Sequence, residues 1–239
     1  MEKIIKIREL KKTFGKLEVL KGVNCSFDAG KVVGVLGPNA SGKTTLIKSI
    51  LGMVIPDGGE IIFKGKVINK TFDYKKSIGY MPQIGQYPDN MKIGQLFDMM
   101  MDIRQVSSGL DTDLLETYRL KSMYQKTMRT LSGGTRQKVS AALAFMFKPD
   151  VLILDEPTAG LDPLAAEQLK EKITEQKSAG KLILITSHIL SEADEIADNV
   201  MYLHEGKVKF YKSLEGLKQE TDEEKLGRAL TKYLTESYV

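Results

Sequence analysis

Apolar and polar positions along the chain switch between two periods, with short apolar runs of strand length separated by segments of helical spacing. Val151 to Leu154, bounded by Asp150 and Asp155, has the length and continuity of a buried parallel strand. Further strands are predicted over Lys31 to Leu36, Ile78 to Tyr80, Leu182 to Thr186 and Val200 to Leu203. Strands alternating with helices predict an α/β fold with a mainly parallel sheet covered on its faces. Asp162 followed by Pro163 predicts a capped helix start, Gly180 a stop, and Ser191-Glu192-Ala193-Asp194 reads as a capping box. Two parts break the alternation. Short strands near the N-terminus, with Glu60 to Phe63 and Lys66 to Ile68, predict an antiparallel sheet, and about Met91 to Met128 predicts helix.

Composition narrows the class of protein. The 239 residues are 42% hydrophobic, enough for one sizeable core. No stretch approaches the ~18 consecutive apolar residues of a membrane span. The start Met1-Glu2-Lys3 lacks the apolar region of a signal peptide and the single Cys25 has no internal partner, so a cytoplasmic location is expected. A net charge of +4, with both signs interspersed, gives no nucleic-acid footprint. No internal repeat or low-complexity linker divides the chain.

The candidate chemistry begins at Gly37-Pro38-Asn39-Ala40-Ser41-Gly42-Lys43-Thr44, a phosphate loop that follows one predicted strand and opens a helix. Gly37 and Gly42 let the backbone turn its N–H groups towards a β-phosphate, Lys43 supplies positive charge to the β and γ oxygens, and the Thr44 hydroxyl is placed to ligate Mg²⁺. Thr45 can donate to the α-phosphate. Asp155 and Glu156 end an apolar strand, so both carboxylates emerge at the carboxyl edge of the sheet, where ligands bind in this architecture. Asp155 would hold the Mg²⁺ hydration shell and Glu156 would orient and polarise an attacking water. His188, after another strand, would reach the γ-phosphate from the same edge. Leu131-Ser132-Gly133-Gly134-Thr135 precedes a helical pattern from Arg136 to Phe147, so its N–H groups and helix dipole offer a second phosphate-binding surface.

The order of these motifs resembles the ATP-binding subunit of an ABC transporter over nearly the whole chain. The resemblance is carried by Phe14 in Lys12-Thr13-Phe14-Gly15, the phosphate loop, Gln83 in Met81-Pro82-Gln83, the turn around Ser132, Asp155-Glu156, Ala159-Gly160-Leu161-Asp162 and His188. It implies a P-loop NTPase core with an N-terminal antiparallel β-subdomain and an inserted helical subdomain. These form a single ATPase domain over 1–239, with the helical subdomain at about 88–135 and a helical tail at about 213–239. It implies ATP and Mg²⁺ as ligands, Phe14 stacking on adenine with Val19 beside it, Gln83 touching Mg²⁺, and a head-to-tail homodimer or heterodimer. ATP would lie between one phosphate loop and the partner's Ser132, Gly133 and Gly134, with Asp162 lining the interface. A separate transmembrane permease would be the partner, the subunit sitting on the cytoplasmic face of the membrane. Ala40, Thr135 and Phe14 replace a frequent Gly, Gln and Tyr, and Ala40 leaves its local conformation open.

The run from Thr158 to Pro163 and that from Ser187 to Glu192 are similar to ATPases of export-type permeases. Lys16 to Lys21 and Leu131 to Lys138 look most like NosF-type subunits of copper-processing systems that serve nitrous oxide reductase maturation. A soluble ABC ATPase with an assembly role is the alternative class. Met99-Met100-Met101 does not converge on one ion, because consecutive helical residues point apart, and reads as core filling or docking surface. Leu226, Leu230, Tyr233 and Leu234 form a helical face expected to pack on the parent domain, with a dimer contact as the alternative.

Overall fold

Two sheets meet across an apolar layer in the computed structural model, which describes residues 2–68 and 72–237. The smaller sheet has the order β2-β1-β4-β5 and is antiparallel throughout: β1 Lys3–Phe14, β2 Leu17–Asp28, β4 Gly58–Phe63 and β5 Lys66–Val67. The larger has the order β10-β9-β3-β8-β7-β6, formed by β3 Val32–Leu36, β6 Ile78–Met81, β7 Val151–Asp155, β8 Leu182–Thr186, β9 Asn199–His204 and β10 Lys207–Ser213. Its neighbours pair in parallel except β9 with β10. The parallel strands bury both faces. Along β7, Val151 and Ile153 join the layer between the sheets, while Leu152 and Leu154 face the helices on the other side.

The helices are α1 Lys43–Ile50, α2 Ile93–Arg104, α3 Asp113–Thr117, α4 Gly133–Met146, α5 Pro163–Ser178, α6 Leu190–Ile196, α7 Leu214–Thr221 and α8 Leu226–Ser237. On the helical side, Phe97 of α2, Leu114 of α3, Phe145 of α4 and Leu169 of α5 share one apolar cluster. A third cluster joins Leu36 and Val200 to Leu217, Leu226 and Leu230, so the C-terminal helical face packs on its own domain.

Several expectations need correction. The N-terminal strands are not short, since β1 and β2 have 12 residues each. The stretch from Met91 to Met128 is not one helix: α2 and α3 are separated by an irregular segment, and the rest is turns and 3₁₀ pieces. The predicted capping box at Ser191 lies inside α6; Ser187 Oγ instead accepts from the Ile189 amide just before it. Asp162 caps α5 as expected, accepting from the Ala165 amide at 3.0 Å with Pro163 in the first turn. Met99 and Met100 pack against the helical cluster, as core filling requires.

Candidate nucleotide site

Parallel pairing places Asp155 opposite Thr186, and Thr186 opposite Val35, so β3, β7 and β8 present their carboxyl ends in one row. The loop leaving β3 is built on close approach. A Cβ at Gly37, where φ is +147°, would stand 2.0 Å from Leu203 O; one at Gly42, where φ is +105°, would stand 3.0 Å from Val19 O. Neither position tolerates a side chain. Ala40, whose conformation the sequence left open, adopts φ 60°, the left-handed region that Gly enters freely and Ala at a cost. Lys43 Nζ donates to Gly37 O at 2.7 Å and Pro38 O at 2.9 Å, which fixes the ammonium over the loop. Burial lowers its pKa, opposed by the carboxylates of Glu156 and Asp155. Ser41 Oγ is buried with no hydrogen-bond partner among the described residues, leaving a donor inside a phosphate-sized cradle.

A cleft of about 420 Å³ opens along this row. It is lined by Asn39 to Thr45, Gln83, Asp155, Glu156 and His188, and by Leu17, Val19 and Thr186. The phosphate loop, both carboxylates, the glutamine and the histidine thus meet at one place. Gly37 and Pro38 shape the loop from behind rather than lining the cleft. Phe14 does not line it either; its ring stands half exposed at the end of β1, with Lys12 Nζ 5.2 Å from its centre.

Glu156 is buried and takes φ 51°. Its amide donates to Thr186 O at 3.0 Å and His188 Nδ1 lies 2.5 Å from Oε1, while Thr186 Oγ1 donates to Asp155. His188 lines the cleft itself, with Nδ1 turned towards Glu156. Burial raises the Glu156 carboxyl; His188 opposes this, and the charges of Asp155 and Glu192 add to it. Among the described residues, no three His, Cys, Asp or Glu side chains cluster as a metal cage. Thr44, Gln83 and Asp155 fit a cation of the Mg²⁺ type, which takes few protein oxygens and completes its shell with phosphate and water.

Ser132, Gly133, Gly134 and Asp162 stand apart from this cleft. Ser132 caps α4, its Oγ accepting from the Thr135 amide at 3.2 Å, and both Ser132 and Gly133 are exposed. Asp162 pairs with Lys138 at 2.6 Å. Leu17 and Thr186 were missed as lining residues. Thr186 could have been found as the polar end of an otherwise apolar strand, but Leu17 carries no local signal.

Residues 20–159 match the family described as ABC transporter. The chain belongs to the ABC transporter family. Its ATPase domain is 35% identical over 218 residues to the lantibiotic transport ATP-binding protein SrtF of Streptococcus pyogenes, covering 89% of this chain and 92% of that one. It is 34% identical over 211 residues to the Nod factor export ATP-binding protein I of Burkholderia lata, covering 85% and 68%. A solved ATP-binding subunit of an ABC transporter superposes with a TM-score of 0.89 at 28% identity, covering 95% of this ABC ATPase and 98% of that chain. No helix among the described residues is long and apolar enough to cross a membrane.

Proposed function

We propose that this ABC ATPase works as a dimer, homomeric or with a second ATPase subunit, on the cytoplasmic face of the membrane, and that ATP-driven closure and reopening drives a separate export-type permease. The observation that carries the reading is the separation just described. The exposed N-terminus of α4 at Ser132 offers N–H groups suited to a phosphate, yet Ser132, Gly133 and Gly134 do not line the chain's own phosphate-loop cleft. A second chain placed head to tail would give each cleft its missing wall. The name of the lantibiotic relative supports a transport partner and that of the Nod factor relative an export one.

Within one cleft the work divides by position. The loop from Gly37 to Gly42 cradles phosphates with backbone N–H groups, Lys43 neutralises β and γ oxygens, and Thr45 reaches the α-phosphate. Phe14 and Val19 hold the base. Thr44, Gln83 and Asp155 would hold Mg²⁺, whose charge would stabilise that developing on the transferred phosphoryl group. Glu156 orients the attacking water and takes its proton, and His188 beside it senses the γ-phosphate. The helical segment at about 88–135, next to Gln83, would meet the permease, and the tail at about 213–239, of which 238 and 239 lie outside the described residues, would brace the core through α7 and α8.

Complementation tests the shared site. A dimer of one Lys43→Ala chain and one Ser132→Arg chain collects both defects in one cleft and leaves the other whole, so mixing two inactive variants should restore ATP hydrolysis. Verified mixed dimers that remain inactive would overturn the reading.

A further inference from the structure

One face of α4 is fastened to the loop that follows Glu156. A Cβ on Gly134 would stand 2.6 Å from Gly160 O, Gln137 Nε2 donates to Glu156 O at 3.3 Å, and Lys138 Nζ donates to Asp162 Oδ2 at 2.6 Å. Positions three and four apart lie on one side of a helix, so these contacts form a continuous seam. Gln137 is only 4% exposed, an unusual place for an amide unless its hydrogen bond matters.

That bond lands on a strained residue. Glu156 takes φ 51°, a conformation costly to a non-glycine residue unless its surroundings impose it. Its amide is held by Thr186 O, and its carbonyl accepts from the Ala159 amide at 3.1 Å and from Gln137. Among the described residues, the carboxylate itself meets only the exposed ring of His188 and that histidine's amide, at 3.4 Å. The backbone clamp therefore sets where the carboxylate points.

We propose that Gln137 is a positioning residue for Glu156 of its own chain. The proposal rests on the shared-site reading above and deepens it. The N-terminus of α4 would act outward on the partner's nucleotide while Gln137, one turn further on, acts inward on the chain's own carboxylate. One helix then belongs to both clefts of the dimer.

The complementing pair supplies the test, because its one competent cleft takes Glu156 from the Ser132→Arg chain and Ser132 from the Lys43→Ala chain. Gln137→Met keeps the side-chain volume and removes the donor. Placed in the Ser132→Arg chain it should lower turnover by about 10²-fold, the scale of a small misplacement, with the KM for ATP unchanged. Placed in the Lys43→Ala chain it should leave turnover unchanged. The reverse pattern, or equal loss in both, overturns the proposal. An inactive starting pair counts against the shared cleft, and Gln137 is then judged in the uniform Gln137→Met protein. There, lower kcat with unchanged nucleotide affinity upholds the role, and unchanged kcat overturns it. Gln137→Glu, which replaces donor by acceptor, gives the same readings should the methionine variant not fold.

Discussion

His188 Nδ1 lies 2.5 Å from Glu156 Oε1, and the His188 amide reaches the other carboxylate oxygen at 3.4 Å. The histidine and the carboxylate thus form one unit at the mouth of the cleft. A group placed this way acts on water only if its oxygen can accept a proton. Glu156→Gln should keep ATP binding and lower turnover by roughly 10²–10⁴-fold, the range for loss of a positioned base. The closed dimer should accumulate with ATP and Mg²⁺, read by light scattering after size separation. Monomer with near-normal turnover would remove Glu156 from its role.

The phosphate loop, Asp155-Glu156 and the capped start of α5 were legible because each is specified within a few residues: a strand end, a turn and a helix start. The seam between Gln137 and Glu156 was not, because it depends on how α4 docks against a loop 19 residues away. The length of β1 was hidden by irregular pairing. Register shifts between Ile7 and Leu10 and between Leu10 and Lys11 break the period of two, and Ile4 and Ile5 are both buried. The capping box failed for a local reason: Ser187, not Ser191, satisfies the amide before α6.

Permease docking is better probed at Ile84 than at Tyr87. The Tyr87 hydroxyl bonds Ser140 Oγ at 2.8 Å and the ring packs on the helical core, so a charge there threatens folding. Ile84 is 72% exposed beside a hollow of about 170 Å³ that it lines with Gln86, Met128 and Arg136. Ile84→Glu should reduce co-purification with the permease and leave the isolated ATPase rate within twofold, as surface substitutions of small energy do. Transport at the normal rate would exclude this surface.

Phe14 should contribute to affinity alone. Stacking on a base is worth about 1–3 kcal/mol, so Phe14→Ala should raise the KM for ATP by roughly tenfold or more with kcat preserved. A fall in kcat at saturating ATP would contradict that role.

Lys172 of α5 is buried among Asp113, Asp111 and Glu175, at 2.5, 2.9 and 3.1 Å, and so pins α3 and the segment before it to the core. Lys172→Met leaves Asp111, itself 9% exposed, without its cation and should cost about 3 kcal/mol, the lower end for a broken buried pair. Urea unfolding would show this as a lower midpoint with an unchanged slope. Burial alone would lower the Lys172 pKa, but the hydrogen bonds its ammonium donates to Asp113, Asp111 and Glu175 together raise it. A raised folded pKa contributes stability fully below the unfolded value of about 10.4 and loses it as pH climbs through the folded one. The wild type should therefore lose more stability than Lys172→Met as pH rises above about 10.

The glycine that opens the phosphate loop is packed against Leu203 O, and the Ser41 carbonyl accepts from the Gly206 amide. The strands flanking β3 are β8 and β9, both from the last third of the chain. During synthesis the motif thus leaves the ribosome long before the walls that shape it. A nascent chain arrested before β9 carries the whole phosphate-loop sequence but lacks one flank of its cradle, so competence for nucleotide arrives late, together with the closing of the central sheet.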